Sequence, residues 1–195
     1  MGKIKTALEI AMEKANKIEV NKEEIKKIEF EKKAGILTNK LLEGEEVNLK
    51  QEFENLSKEE KKFIIETIEK TLLNGLVLSP NFNELQYNKI INALKKIKEK
   101  PGQIDAIKND VKSLLQTYSD QLKQYYEQLK QQFSTQLDAL KKQLGAQLGA
   151  EADIDPSSHP EFQKYWNEIK TNIDEQFKSH IEQIKQMIKS LKNLY

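Results

Sequence analysis

The densest run of metal-ligand and acid–base side chains is the stretch 151–161, EADIDPSSHPE. A calcium loop uses oxygen donors at its first, third, fifth and ninth positions, a glycine at the sixth and a bidentate glutamate at the twelfth. Counted from Asp153, ligand-like residues fall at the first, third, fifth and ninth positions, but the sixth is Ser158 and the twelfth Lys164. The two most diagnostic positions fail. The stretch reads as a solvated acidic turn whose Asp and Ser side chains satisfy backbone groups and cap the next helix.

The other chemistries are no better supplied. His159 and His180 are the only imidazoles. A carboxylate di-iron bundle needs Glu-x-x-His twice, but Pro156 and Phe177 stand three residues before the two histidines. No serine lies in a G-x-S-x-G turn, and no glycine-rich phosphate loop is present. The single G-x-x-x-G, Gly145 to Gly149, lies outside any apolar span and reads as a helix terminus. Cysteine is absent, which removes thiolate ligands and a Cys nucleophile. Pairs such as Glu59-Glu60 and Lys61-Lys62 are the solvated faces of exposed helices. No catalytic, cofactor-binding or metal-binding residue is assigned, and no cofactor is expected.

All 32 basic residues are Lys, set against 31 acids for a net charge of +1. Without the arginine fork and without a basic excess, specific nucleic-acid recognition is not expected. No run of 18 apolar residues exists, so no membrane span is expected. Charges at Lys3, Lys5 and Glu9 interrupt any signal-peptide core, and Gly2 with Thr6 reads as the start of a helix rather than a lipidation site. The expected location is cytoplasmic.

What the sequence does specify is helix. Large apolar residues fall at 111, 114, 118, 122, 125, 129, 133, 137, 140 and 144, nine steps over 33 residues. From Phe162 through Trp166, Ile169, Ile173, Phe177, Ile181, Ile184, Ile188 and Leu191 to Tyr195 there are again nine steps over 33. An eleven-residue repeat keeps a straight or slightly right-handed seam, unlike a heptad coil. The two stripes predict a long antiparallel hairpin over 101–195, with its loop near 149–158. Folding it about residue 153 would set Leu144 by Phe162, Phe133 by Ile173 and Leu122 by Ile184. Ser158 with Glu161 makes a capping box for the second helix, which is expected to reach the C-terminus.

A composition shift at Pro101-Gly102 marks a boundary, since all seven Asp lie beyond it. Residues 1–100 read as four or five shorter helices. One carries Ile4, Ala7, Leu8, Ala11, Ala15 and Ile18. A second opens at Asn21 and Glu24 and ends near Gly44, loosened at Ala34-Gly35. Asn48 caps a short turn bearing Leu49, Phe53 and Leu56. Ser57 and Glu60 box the helix of Phe63, Ile64, Ile68, Leu72 and Leu76, which breaks at Ser79-Pro80. A last helix uses Leu85, Ile90 or Ile91, Leu94 and Ile97. The fold class is all-α.

The segments KTALEIAMEKA (5–15), LSKEEKKFIIE (56–66) and LLNGLVLSP (72–80), with the Gln-rich second half, resemble an uncharacterised family of bacterial all-helical proteins, a domain of unknown function. The resemblance covers most of the chain. It implies a bacterial cytoplasmic origin and no assigned activity.

Off-seam apolar residues Leu115, Tyr126, Ala139, Tyr165, Met187 and Leu194 widen the hairpin stripe and call for a partner. The expected function is a non-catalytic assembly or scaffold protein acting through helix faces, with a protein partner or homo-oligomerisation. The alternatives are a small-molecule or metal-binding helical enzyme, and a Lys-mediated nucleic-acid or membrane-surface binder. Phe162, Tyr165 and Trp166 are the partner-contact candidates, because aromatics of this kind anchor interfaces. Phe162 and Trp166 also obey the seam, where they would plug the hairpin end against Leu144 and Leu148.

Overall fold

The computed structural model describes the backbone of residues 7–148 and 155–195, and within them the side chains of Met12, 22–138 and 155–195. Its helices are α1 (Ala7–Glu43), α2 (Leu49–Glu52), α3 (Lys58–Asn74), α4 (Glu84–Ile97), α5 (Gly102–Leu148) and α6 (Pro160–Ser190). A 3-10 turn, Pro156–Ser158, precedes α6. The only β pairing among the described residues is one isolated bridge. The protein is all-α.

The start expected at Asn21 does not occur, because α1 runs unbroken for 37 residues. It contains one glycine and no proline, and is built largely from Lys, Glu, Ala, Leu and Ile. An interior Asn lowers helix propensity by only about 0.7 kcal/mol, too little to stop it. Gly35 stays helical as well. Termination comes at Gly44, with φ +83°. Its N–H donates to Leu41 O (3.2 Å) while Glu45 N–H donates to Lys40 O (3.0 Å). That is the Schellman pair of bonds, and a left-handed residue is required there. Asn48 then caps α2 by accepting from Gln51 N–H. Ser57 and Glu60 form both halves of the capping box on α3. α3 stops at Asn74, capped by Gly75, well before Ser79-Pro80.

Contacts divide the chain into two compact units: 1–75 with 89–101 and 192–195, and 76–88 with 102–191. Two stretches thus depart from a single cut at residue 101. In the first unit α1 packs on α3. Ala34, Leu37, Leu41, Phe53, Ile64, Ile65, Ile68 and Leu72 are buried, as are Ile90, Ile91, Leu94 and Ile97 from α4. Leu85, expected in the α4 core, is exposed.

In the second unit α6 lies antiparallel along α5. Phe133 packs on Phe162, Tyr126 on Trp166, and Tyr118 on Phe177. The register differs from the one expected. Phe133 meets Phe162 rather than Ile173, and Leu122 clusters with Ile173 rather than Ile184. Each is displaced by one repeat of the seam. A shift of one repeat sets apolar on apolar again, so the pattern alone does not choose between the two. The expected neighbour of Phe162, Leu144, has a side chain outside the described set.

Three smaller expectations also change. Tyr126, not Tyr125, enters the α5–α6 packing, and Tyr125 is exposed. The N-cap of α6 is His159, because the Ser158 hydroxyl donates to Asp155 O instead. α6 ends at Ser190 with Leu191 extended, so Tyr195 is not on the helix.

The two glycines of the α1 region give opposite predictions. Gly44→Ala places a Cβ in left-handed backbone and should cost about 1 kcal/mol. At Gly35 a Cβ meets nothing within 4 Å. Gly35→Ala should therefore stabilise by about 0.5–1 kcal/mol. Urea unfolding of the two variants measures both signs.

Candidate functional site

Four arrangements could carry function. The first gathers the aromatic candidates. His159 caps α6 by accepting from Glu161 N–H through Nδ1 (3.3 Å), and Pro160 occupies the first turn, where its missing N–H costs nothing. This sets Phe162 inward, 2% exposed. Its ring stands edge-on to Phe133 (5.5 Å) and to Tyr126 (5.5 Å), and Tyr126 stands edge-on to Trp166 (5.0 Å). Edge-to-face rings at these distances are the arrangement aromatic quadrupoles prefer. Tyr165 touches Phe133 at 6.1 Å and remains half-exposed. The structure thus brings all three candidates to one place, Phe162 and Trp166 packed and Tyr165 open to solvent. The neighbours of Phe162 and Trp166 are Tyr126 and Phe133; Leu144 and Leu148 lie outside the described side chains.

The second arrangement is polar and lies at the edge of the α5–α6 packing, with Tyr118 buried and Asp174 and Lys170 partly exposed. Tyr118, 2% exposed, donates its hydroxyl to Asp174 Oδ1 at 2.6 Å. Lys170 donates to Asp174 Oδ2 at 2.6 Å. Burial, reinforced by the hydrogen bond to Asp174 and its charge, pushes the Tyr118 hydroxyl well above the ordinary tyrosine range. Partial burial pushes Asp174 up, but the bonds from Lys170 and Tyr118 outweigh it and hold the carboxyl below its ordinary value. The Tyr118 hydroxyl and the Asp174 carboxylate thus bridge α5 and α6.

The third lies in the first unit. Lys98 and Glu69 are 2% and 4% exposed, and Lys98 Nζ donates to Glu69 Oε1. Asn193 Nδ2 donates to Glu69 Oε2 at 2.9 Å. A buried ion pair needs its remaining hydrogen-bonding sites satisfied to offset desolvation, and Asn193 does this for the second carboxylate oxygen. Sequence reasoning missed this cluster by reading Lys and Glu runs as solvated. One signal was available: Ile65, Glu69 and Leu73 share an i+4 row, which puts an acid in a core register.

The fourth is a surface. At about 100° per residue, Ala34, Leu37, Thr38 and Leu41 share the buried side of α1, and Ile25, Ile28 and Ile36 fall on the opposite side. These three isoleucines are 51%, 50% and 59% exposed. The helix is therefore apolar on two faces, only one of which packs on α3. Beside it a hollow of about 300 Å³ is lined by Glu29, Lys32, Lys33, Ile36, Leu37, Lys40 and Glu52. Lys33 and Lys40 both reach Glu52 at 3.8 Å, so these three charges of the hollow pair with one another.

Among the described residues, no three His, Asp or Glu side chains gather as a metal site, and no helix is long and apolar enough to cross a membrane. The calcium-loop reading rests partly on Asp153, which lies outside the described residues. Lys130 stands 3.8 Å from Asp155, whose carboxyl is held low by hydrogen bonds from the Ser157 hydroxyl and backbone N–H.

This all-helical chain, with packed aromatic and polar contacts and a second apolar helix face, belongs to a family of unknown function. The family is DUF6657, whose model matches residues 50–190. No curated protein and no solved structure matches the chain.

The α5–α6 contacts can be tested one at a time. Phe162→Ala should cost about 3–5 kcal/mol. Tyr165→Ala should change stability by about 0.5 kcal/mol or less. Thermal melts of the two compare packing with exposure. For Asp174, whose folded pKa is depressed, the carboxylate stabilises above the ordinary value near 3.9, and that contribution disappears as pH falls through the lower folded value. Asp174→Asn should therefore lower the urea midpoint at pH 7, with the gap to wild type closing as pH falls below the ordinary carboxylate value and through the lower folded one. A gap independent of pH would contradict the assignment.

Proposed function

We propose that this protein is a non-catalytic assembly or scaffold protein of the bacterial cytoplasm that binds other helices through its own helix faces, coiled-coil fashion. The observation that carries this reading is the isoleucine stripe on the outer side of α1. Every described residue from Lys22 to Glu29 is exposed, Ile25 and Ile28 included. An isolated helix of this composition is marginal in water, and most helical stability comes from packing an amphipathic face. A stripe of β-branched residues beside mixed Lys and Glu supplies such a face to a partner helix, in a second copy or another protein. Tyr125, Tyr165 and Met187 offer further exposed apolar surface on α5 and α6. The near-balanced charge favours specific helix pairing over a nonspecific polyanion surface.

Light scattering and affinity capture from a bacterial host extract test this. Wild type should exceed the 22.7 kDa of one chain or retain a discrete partner. The variant Ile25→Lys, Ile28→Lys, Ile36→Lys should lose that assembly, with each exposed substitution changing stability by only about 0.5 kcal/mol. A wild-type monomer that captures nothing, or a triple variant that assembles unchanged, would overturn the reading.

A further inference from the structure

The last four residues leave α6 and dock in a notch of the first unit, and the docking has the form of peptide recognition. The segment is extended and runs antiparallel to residues 97–99. Glu99 N–H donates to Lys192 O (3.0 Å) and Leu194 N–H donates to Ile97 O (2.9 Å), with Lys98 and Asn193 as the bridge pair. Side chains alternate, as they must on an extended strand. Asn193 and Tyr195 point in; Lys192 (80% exposed) and Leu194 (43%) point out. Asn193 Nδ2 reaches the buried Glu69 Oε2 at 2.9 Å. Tyr195 lays its ring edge-on to Phe53 at 5.3 Å, and Lys61 Nζ lies 5.8 Å from the Tyr195 centroid. Backbone bonds supply affinity and two alternate side chains supply selection, the pattern by which added strands are recognised.

We propose that this notch, formed by Phe53, Lys61, Glu69 and residues 97–99, is a peptide-binding site for extended segments of the form Asn-x-Tyr. It is filled here by the chain's own 193–195 and can take the same segment from a second copy. Lys98 holds Glu69 Oε1, which leaves Oε2 aimed at the ligand. A carboxylate so held selects an amide donor and rejects an isosteric carboxylate, so Asn is read against Asp. The fit of the resident segment is incomplete: Asn193 Oδ1 is buried and accepts no hydrogen bond among the described residues. An acceptor left unsatisfied weakens the docking. Exchange between copies keeps every contact, so it is opposed only by the effective concentration of the tethered segment. The site does not involve the isoleucine stripe of α1.

Two measurements test the site. In the first, full-length Asn193→Asp expels its own segment by charge and is titrated with a fluorescent peptide Ser-Leu-Lys-Asn-Leu-Tyr. The peptide should bind this variant roughly tenfold or more tighter than wild type, where the tethered segment competes. A peptide with Asp in place of Asn should bind neither. The triple isoleucine variant combined with Asn193→Asp should bind the peptide unchanged, which separates this site from assembly through α1. No binding to a folded Asn193→Asp chain, or equal binding of the Asp peptide, overturns the proposal. In the second, which stands if Asn193→Asp fails to fold, a spin label is placed on Leu194→Cys, the sole cysteine of that variant. It is mixed with isotope-labelled wild type, which carries no spin label. Broadening of the Glu99 amide in the isotope-labelled chain should rise with chain concentration. A Glu99 signal unaffected at about millimolar chain, the range of tethered effective concentrations, overturns exchange between copies.

Discussion

A buried tyrosine hydroxyl must find an acceptor, and much of the second unit follows from where Tyr118 finds one. Its bond to Asp174 links α5 to α6 between positions that the apolar pattern alone does not distinguish from their neighbours one repeat away. A seam that recurs every eleven residues buries similar surface in either register. A hydrogen bond to an ionised group adds roughly 1.5–3 kcal/mol, and a buried hydroxyl left unpaired would cost about 1–3 kcal/mol. A difference of that size is enough to populate one register. This is the role polar residues serve in coiled coils, where a single one fixes alignment. The aromatic group of Tyr126, Phe133, Phe162 and Trp166 closes in the same register.

The first unit solves a similar problem with charge. Glu69 occupies a core row of α3 and is tolerable there because Lys98 and Asn193 together satisfy both of its oxygens. Removing one partner of such a pair typically costs about 3–5 kcal/mol, because a buried charge is left behind. The pair thus ties the packing of α3 and the end of α4 to the presence of a short extended segment. The α1 face and the strand-like notch, on which the two proposals rest, are different surfaces, and each is set by local geometry.

Features carried by near neighbours in sequence were legible. The Ser57–Glu60 box, the Asn48 cap and the glycine end at Gly44 each depend on residues close by in the chain, and each formed as read. Phe162 was legible as a core residue because its period placed it on a stripe. What depended on choosing among equivalents was not. The register needed Tyr118 and Asp174, which are 56 residues apart. The α6 cap turned on competition for a hydroxyl, with Asp155 O taking Ser158 and leaving the capping role to His159. Counting the seam through Leu191 to Tyr195 carried a helical period past the point where the helix stops. Glu69 hid among the many other glutamates, and only its i+4 row with Ile65 and Leu73 sets it apart from them.

Nuclear Overhauser contacts from the indole of Trp166 test the register directly, since the chain has one tryptophan and its signals are unambiguous. The structure places the Tyr126 ring 5.0 Å from it, so cross-peaks to Tyr126 ring protons are expected in the folded protein. Cross-peaks to Leu140 in place of Tyr126 would show the helices closed about residue 153. They would contradict the register on which the polar lock and the aromatic packing both rest.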